Sequence, residues 1–331
     1  MKLFDLDEAD VRAAFDDGAP AYLLVNPIEY HGPHLSLLND HVVARGLARD
    51  LHARLNARLN ARRDAGARWP FLLTHDLNVG VEPTPGPGSI PVSHRDVVTK
   101  VVKACRELSR LGAQKVAIMT FHGSPNHAAA LEIGVKYLRR KGVRAISPLN
   151  AALRGLLDLR PSTIQGAFAH IDDLEERAVM MATIEDDFHG GFIESSLAMH
   201  YAPETVKPII RDLPACPPLV PSAAISLASR AAARACGKGK AVSRELLMIG
   251  KSLAWMKLRP FPGYTGHPRW ARPEVGAIFA EGIIDEYAAI AESVFAGSGR
   301  SPAPFLNWIS VVSLRGRIAP PDIPLNAVLQ V

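Results

Sequence analysis

The stretch Glu29-Tyr-His31-Gly-Pro-His34-Leu-Ser-Leu-Leu-Asn-Asp40 brings together several side chains that can bind a metal or transfer a proton. It follows the apolar run at 22–26, which is typical of a buried strand. On an extended chain, residues two apart point to the same side, so Glu29 and His31 can face one ion together. Glycine and proline after His31 interrupt regular structure, and Asp40 opens a helical pattern from which it can turn back. The stretch therefore has the composition of a metal site.

The segment after Asp40 is predicted to be a long helix with one apolar side. Fourfold spacing, typical of a helix face turned to a core, connects Val43, Leu47, Leu51, Leu55 and Leu59. The remaining surface carries arginines at positions 45, 49, 54, 58, 62 and 63. A net charge of +5 can indicate a nucleic-acid partner. Because no aromatic residues interleave with these arginines, we expect a solvated helix face and no nucleic-acid partner.

Strand-like and helix-like segments alternate along the first half of the chain. Further strands are expected at 71–77, 115–121 and 143–146, and one intervening helix is expected to begin at Ser93 and end at Gly112. This alternation predicts an α/β fold of three layers, α/β/α, with a mostly parallel central sheet. Ligands bind beyond the carboxyl ends of the strands in such sheets. His122, which follows the third strand, is therefore expected beside the residues that follow the first.

A third polar segment, His189-Gly-Gly-Phe-Ile-Glu194-Ser-Ser196, follows a helical run at 174–183. The two glycines free the backbone beside His189. Glu194 begins a new helical pattern, where a carboxylate interacts favourably with the helix dipole. The alternative interpretation is that Glu194 only caps this helix and that the histidine lies near it by chance.

The order of these motifs resembles that of the creatininase (creatinine amidohydrolase) family. The resemblance covers about residues 20–290 and implies a creatininase-like fold. It rests on Glu29-x-His31-Gly-Pro-His34-Leu with Asp40, on His122-Gly123, on the segment 189–196, and on shorter matches at 87–90, 203–206 and 263–268.

The family holds two metal ions bridged by an aspartate, and the resemblance implies corresponding roles here. The implied metal ligands are Glu29, His31, Asp40, His122 and Glu194. Creatininase itself has a glutamate where this chain has Ser124, so Glu194 is expected to supply that ligand. Oxygen and imidazole donors without a thiolate suit two divalent ions, which we expect to be Zn²⁺, Mn²⁺ or Fe²⁺.

Two further histidines receive separate predictions. In the family, the histidine at the position of His189 lies beside the metals without binding them, and an imidazole suits proton transfer to a leaving nitrogen. His189 is therefore the candidate catalytic residue. His34 lies off the side shared by Glu29 and His31, so we expect it to orient Asp40 or to contact substrate in preference to binding metal.

The resemblance implies a hydrolase that uses a metal-activated water to cleave a non-peptide C–N bond in a small molecule, such as a cyclic amide or a formamide. Creatinine itself is not the expected substrate, because the chain reads Thr120-Phe-His122-Gly-Ser124-Pro-Asn126 where the family commonly has Asn-Gly-His-Gly-Gly-Asn. Two alternatives are a non-catalytic scaffold or regulatory protein and a peptidase-like relative that acts on a modified peptide. A nucleotide site is disfavoured, because the loop 86–89 is too short and proline-rich to bind phosphate.

Length and composition fit one large α/β domain or two smaller ones. The resemblance implies one hydrolase domain over 1–296, with 207–262 as an insertion or lid, followed by a tail over 297–331. The chain has 331 residues, of which 48% are apolar, enough for a sizeable core. No apolar run reaches about 18 residues, so no membrane span is expected. The charged N-terminus and the widely separated cysteines favour a cytoplasmic protein.

The tail combines apolar side chains with too little sequence to bury them alone. Phe305, Trp308 and Ile309 can dock on the domain or on a neighbouring chain. The tendency of the resembled family favours the second choice, and we expect a homo-oligomer.

Overall fold

The computed structural model describes residues 3–60, 68–157, 164–235, 239–304, 306–318 and 321–331. Three residues discussed above lie outside these ranges, namely Arg62, Arg63 and Phe305, and the side chain of Leu59 is not described either.

The described residues form a small sheet surrounded by helices. The strands are β1 (Ala21–Asn26), β2 (Leu72–Leu73), β3 (Leu77–Asn78), β4 (Lys115–Met119) and β5 (Arg144–Ile146). The first helices along the chain are α1 (Glu8–Asp16), α2 (Asn39–Asn60), α3 (His94–Arg110), α4 (Pro125–Arg140) and α5 (Leu149–Leu157). They are followed by α6 (Leu174–Thr183), α7 (Phe192–Tyr201), α8 (Ala223–Ala233), α9 (Gly239–Met256), α10 (Pro273–Phe295) and α11 (Ile309–Val312).

The sheet is parallel throughout, as predicted. β1 pairs with β2 and β3 on one side and with β4 on the other, and β4 pairs with β5. The strand expected at 71–77 is divided, because Leu73 pairs with Tyr22 whereas Leu77 pairs with Val25. One strand therefore has an extra residue between the two pairs, which interrupts the ladder as a bulge does.

Alternate residues of β1 enter two separate cores. Ala21, Leu23 and Val25 belong to a core that includes buried residues of α1, α3 and α4, whereas Tyr22 and Leu24 belong to a core that includes α2, α7 and α10. Because successive side chains of a strand point to opposite faces, this division places helices on both faces of the sheet. The three-layer architecture predicted from the sequence is confirmed.

The arginine-rich helix α2 faces α10 as well as solvent. Its predicted apolar side is buried as far as Leu55. Arg54 forms ion pairs with Glu281 and Asp285, and Nη1 of Arg58 lies 2.8 Å from an oxygen of Glu292. Part of the basic charge of α2 is therefore balanced within the chain by acidic residues of α10.

The region predicted as an insertion or lid contains the paired helices α8 and α9. Only α8 was expected from the sequence. A Cβ atom at Gly250 of α9 would lie 2.7 Å from Pro221 and 2.9 Å from Ile225, so the glycine permits the close packing of the pair. The last turn of α9 brings Trp255 to the rest of the chain, where it is buried.

The C-terminal segment, which comprises the described residues of the tail at 297–331, packs on its own chain. Nε1 of Trp308 donates a hydrogen bond to Glu245 of α9 at 2.7 Å, and Val328 forms a parallel bridge with Phe261. The domain boundary at 296 stays a prediction, as does the homo-oligomer. Among the described residues, every helix is too short or too polar to cross a membrane.

Candidate metal centre

The ends of β1 and β4 are tied together by a buried asparagine. Oδ1 of Asn26 accepts hydrogen bonds from the amide of Phe121 at 2.8 Å and from the hydroxyl of Thr120 at 3.1 Å. The next residue, His122, lies with Nδ1 2.7 Å from Oε2 of Glu29. The convergence that was predicted from the parallel topology is present in the structure.

Asp40, in the first turn of α2, lies between two histidines and offers a different oxygen to each. Oδ1 of Asp40 is 3.2 Å from Nε2 of His31, and Oδ2 is 3.7 Å from Nδ1 of His122. Nε2 of His31 is also 3.8 Å from Oε2 of Glu194, in the first turn of α7. All five residues predicted as metal ligands are therefore brought together.

Among the described residues, the centre contains three groups whose ligand atoms lie within 4.8 Å of one another; one joins Glu29 and His31 to His189, and the other two contain only predicted ligands. Of these two, one consists of Glu29, Asp40 and His122, and the other of His31, Asp40 and Glu194. Asp40 is common to both, which is the arrangement expected of a carboxylate between two ions.

The backbone sets which nitrogen of each histidine faces the centre. Nδ1 of His31 lies 3.0 Å from the carbonyl of Glu29, and Nε2 of His122 lies 2.9 Å from the carbonyl of Val81. A carbonyl oxygen only accepts, so each of these nitrogens carries a hydrogen. Nε2 of His31 and Nδ1 of His122 are the remaining ring nitrogens, and both face the carboxylates.

The centre concentrates charge in a buried volume. Glu29, His31 and Asp40 are each at most 2% exposed. Burial and the nearby Asp40 raise the pKa of Glu194 to about 8. Burial opposes protonation of His31 and His122, yet the adjacent carboxylates raise the pKa of both rings. The carboxyl groups of Glu29, Asp40 and Glu194 therefore favour a positively charged group or ion between them.

Three atoms at the middle of the centre are buried and have no hydrogen-bond partner among the described residues. They are Oε2 of Glu29, Nε2 of His31 and Oδ2 of Asp40. Buried polar atoms are normally satisfied, and these converge on one another. Carboxylate oxygens and imidazole nitrogens in this arrangement fit divalent cations of the Zn²⁺ or Mn²⁺ type.

His189 lies directly against this centre. Its ring stacks on that of His31, with centroids 4.3 Å apart. Nε2 is 2.9 Å from the carbonyl of Tyr30, so this nitrogen carries the hydrogen, and Nδ1 is 4.0 Å from Oε1 of Glu29. Burial and the neighbouring His31 lower the pKa of His189 to about 3. Both causes favour the neutral ring, in which Nδ1 has the lone pair.

The backbone of His189 is fixed by the motif at 263–266. The hydroxyl of Thr265 accepts hydrogen bonds from the amides of His189 and Phe188 at 3.1 and 2.9 Å. The ring of Trp255 lies 5.0 Å from that of His189. A Cβ atom at Gly266, which has φ of +63°, would lie 2.0 Å from Asp187. The close approach of these two segments therefore requires glycine at this position.

The ring of His34 lies at the start of α7. Its Nε2 lies 2.9 Å from the hydroxyl of Ser195 and 3.1 Å from the carbonyl of Gly190. It therefore supports the start of α7, which carries Glu194, and its described contacts do not include Asp40. A Cβ atom at Gly32, which has φ of +78°, would lie 3.1 Å from Nδ1 of His34, so the close approach of this ring favours glycine there.

Thr84 holds Glu29 in place, a role that sequence reasoning missed. Its amide and its hydroxyl both donate to Oε1 of Glu29, at 2.6 and 2.7 Å, and its hydroxyl oxygen is 3.1 Å from Nε2 of His189. The only local signal is the flanking pair Pro83 and Pro85, which restricts the backbone of the loop.

Comparison with known proteins agrees with this geometry. Residues 5–291 match the family described as Creatininase: Creatinine amidohydrolase. No curated protein is significantly similar to the sequence.

Similar solved structures include three creatininases. A mutant creatininase of Zn-Zn type is 18% identical, with a TM-score of 0.57, and covers 88% of this chain and 98% of its own. A structure described as creatininase Mn is 17% identical, with a TM-score of 0.54, and covers 88% of this chain and 98% of its own. A creatinine amidohydrolase (creatininase) is 18% identical, with a TM-score of 0.54, and covers 91% of this chain and 98% of its own.

At these identities the solved structures establish a shared fold. The family match extends over nearly the whole chain and includes every residue of the candidate centre. The chain therefore belongs to the creatininase (creatinine amidohydrolase) family.

Proposed function

We propose that the chain is a metal-dependent hydrolase that cleaves a non-peptide C–N bond in a small molecule, such as a cyclic amide or a formamide. The observation that carries this proposal is the pair of ligand groups that share Asp40. Each group combines two carboxylates with one imidazole. Three protein ligands per ion leave a coordination position for water or substrate, as is usual in catalytic sites.

The proposed ligands are Glu29, His31, Asp40, His122 and Glu194, and the proposed ions are two of Zn²⁺, Mn²⁺ or Fe²⁺. The family's solved structures include a Zn-Zn type and a Mn form, and the donor set suits these ions. A pair of such ions lowers the pKa of water and polarises a carbonyl oxygen. The protein's own contribution is to hold the five ligands in fixed orientations through the hydrogen bonds described above.

His189 is proposed to move the proton between the attacking water and the leaving nitrogen. Nδ1 is free to accept a proton, while the hydrogen on Nε2 is held by the carbonyl of Tyr30. With the hydrogen on Nε2, Nδ1 has the lone pair that accepts the proton before the C–N bond breaks. Once Nδ1 has gained the proton, the same nitrogen can donate it to the leaving group.

The surroundings of the centre favour a small substrate. Glu29, Asp40 and His122 are at most 5% exposed, and Trp255 packs beside His189. Bulk solvent has little access to side chains this buried, which strengthens the electrostatic interactions among them. An extended polypeptide would need far more open surface than these residues present.

We propose a substrate other than creatinine. Ser124, which stands where creatininase has a glutamate, donates a hydrogen bond to Glu82 at 3.0 Å. In this chain the corresponding metal-binding carboxylate is proposed to be that of Glu194, which lies in α7. The residues around the reacting carbonyl therefore differ from those of creatininase, although the ligand chemistry is the same.

The proposal is tested by elemental analysis of the purified protein together with hydrolysis assays on a panel of lactams, formamides and short peptides. We expect about two divalent ions per chain and hydrolysis of a small amide, lost with a chelator and restored by Zn²⁺ or Mn²⁺. Metal binding without hydrolysis of any compound would favour a scaffold. Cleavage of peptides alone would favour a peptidase-like enzyme.

A further inference from the structure

Glu82 has a backbone conformation that is unusual for its residue type. Its φ of 56° lies in the left-handed region, which residues with a Cβ atom seldom adopt. Such a conformation persists only where surrounding contacts hold it, and it is often found beside functional sites. Glu82 directly follows Val81, whose carbonyl holds His122.

Two side chains of the segment after β4 hold the carboxylate of Glu82. Nδ2 of Asn126 donates to Oε1 at 2.7 Å, and the hydroxyl of Ser124 donates to Oε2 at 3.0 Å. Both residues belong to the stretch that departs from the common family pattern. Their hydrogen bonds connect the start of α4 to the loop at 81–85.

Among the contacts of the described residues, those from the loop at 81–85 to the two groups that share Asp40 reach Glu29 and His122, both in one group. The carbonyl of Val81 lies 2.9 Å from Nε2 of His122, and Thr84 donates twice to Glu29. In the other group, His31 is oriented by the carbonyl of Glu29, and Glu194 accepts from the amide of Gly190. Displacement of the loop would therefore affect the first group more than the second.

The C-terminal segment also contacts the loop at 81–85 and the residue Asn126 that binds it. Nδ2 of Asn126 also donates to the hydroxyl of Ser313 at 2.8 Å, and the amide of Ile323 donates to the carbonyl of Pro85 at 2.7 Å. A Cβ atom at Gly316 would lie 3.1 Å from Val81 and 3.2 Å from Glu82. These contacts come from a part of the chain that lies beyond the family match at 5–291.

We propose that Glu82 is a positioning residue, held by Ser124, Asn126 and the C-terminal segment, that sets the affinity of the metal site formed by Glu29, Asp40 and His122. It acts through the carbonyl of Val81, which fixes the ring of His122. The inference rests on the proposed function, because it assumes that this group binds a divalent ion.

The test measures Mn²⁺ binding to the full chain in two single-site backgrounds, with free Mn²⁺ followed by electron paramagnetic resonance. His31→Ala retains the group that contains His122, and His122→Ala retains the group that contains Glu194. Glu82→Gly removes the side chain and suits the left-handed backbone. We expect a loss of about tenfold or more in the first background and less than about twofold in the second.

A conservative variant separates positioning from simple attraction by charge. Glu82→Gln removes the charge, but its amide oxygen can still accept from Asn126, and its amide hydrogens can reach the hydroxyl of Ser124. We expect it to retain affinity within about threefold of the unaltered chain. Equal losses in Glu82→Gln and Glu82→Gly would instead indicate an effect of net charge and would overturn the positioning role.

The contribution of the C-terminal segment is tested with a matched pair of glycines. Gly316 and Gly142 have φ of +78° and +81°, but among the described residues a Cβ built at Gly142 has no atom within 4 Å apart from those of its chain neighbours. Gly316→Ala should weaken Mn²⁺ binding in the His31→Ala background, whereas Gly142→Ala should leave it unchanged. Circular dichroism verifies that each variant is folded.

The possible failures are distinguishable. If the unaltered chain does not bind Mn²⁺, the proposed function is overturned and this inference falls with it. If the unaltered chain binds Mn²⁺ and Glu82→Gly has the same affinity in the His31→Ala background, only the positioning role is overturned. Equal losses in both backgrounds would also overturn it, because the described contacts of the loop to these two groups reach only one of them.

Discussion

Thr84 donates two hydrogen bonds to a single oxygen of Glu29, although 55 residues separate the two in sequence. Because Oε1 is occupied by the amide and hydroxyl of Thr84, the other oxygen, Oε2, is left to face His122. One threonine therefore decides which oxygen of the carboxylate is directed to the centre. The same hydroxyl lies beside the hydrogen-bearing nitrogen of His189.

Thr84→Val is expected to weaken metal binding by about tenfold, the usual effect of removing a hydrogen bond to a ligand. Valine has nearly the same shape but lacks the hydroxyl, so Glu29 keeps one donor and loses the other. Thr99→Val on the exposed side of α3 is a matched control. Affinity measured by competition with a chelating dye checks the prediction, and equal affinities for both variants would contradict it.

The parts of the centre that follow regular elements could be predicted from the sequence. Glu29 and His31 come after β1 and His122 after β4, and a parallel sheet brings these positions to one edge. Thr84 could not be predicted, because it lies in a proline-rich loop whose path depends on contacts far away in sequence. Thr265 is similar, since its bonds to His189 join segments 76 residues apart.

The fold could be predicted where the apolar periodicity is strong. The prediction failed where tertiary packing outweighs the local preference of the sequence. The apolar stripe of α2 and the N-cap at Ser93, whose hydroxyl accepts from the amide of Asp96, follow from local sequence. Helix α9 was missed, because it starts at Gly239 and contains Gly250. Glycine lowers the intrinsic preference for helix, yet here it allows α8 to approach.

Asp40→Ala is expected to empty both metal sites, because Asp40 belongs to both ligand groups. Elemental analysis after dialysis against buffer with trace metal checks the result. Asp10→Ala is a suitable control, since Asp10 is also an aspartate in the first turn of a helix but is exposed. Asp40→Ala should lose close to two ions per chain and Asp10→Ala none.

A different result for Asp40 would revise the assignment. Retention of one ion would mean that one group binds metal without the shared carboxylate. Full occupancy in Asp40→Ala would contradict the proposed ligand set.

His189→Ala is expected to leave metal content nearly unchanged and to lower turnover by roughly a hundredfold or more, the usual contribution of a positioned proton carrier. The ring stacks on His31 and is close enough to the centre to bind metal. The metal content of the variant therefore distinguishes a proton carrier from a metal ligand. His200→Ala, which alters an exposed histidine of α7, serves as the control. Loss of an ion from His189→Ala would identify this residue as a ligand instead.

The C-terminal segment presents a candidate surface for contact between chains. This segment docks on its own chain through Trp308 and Val328, yet Val311 and Val312 remain 75% and 64% exposed. Exposed apolar side chains in a cluster are typical of contact surfaces. We therefore expect the full chain to form a homo-oligomer and Val311→Asp to reduce its mass by light scattering.

Point substitution is a sharper test than truncation after Gly297, because truncation would also remove Ile323 and Val328 from a buried cluster. Leu174→Asp alters an equally exposed apolar residue, 72% exposed, on α6 and should leave the mass unchanged. A full-length chain that is monomeric would contradict the oligomer itself. An oligomer that keeps its mass in Val311→Asp would show that its interface lies elsewhere, with the C-terminal segment acting only within its own chain.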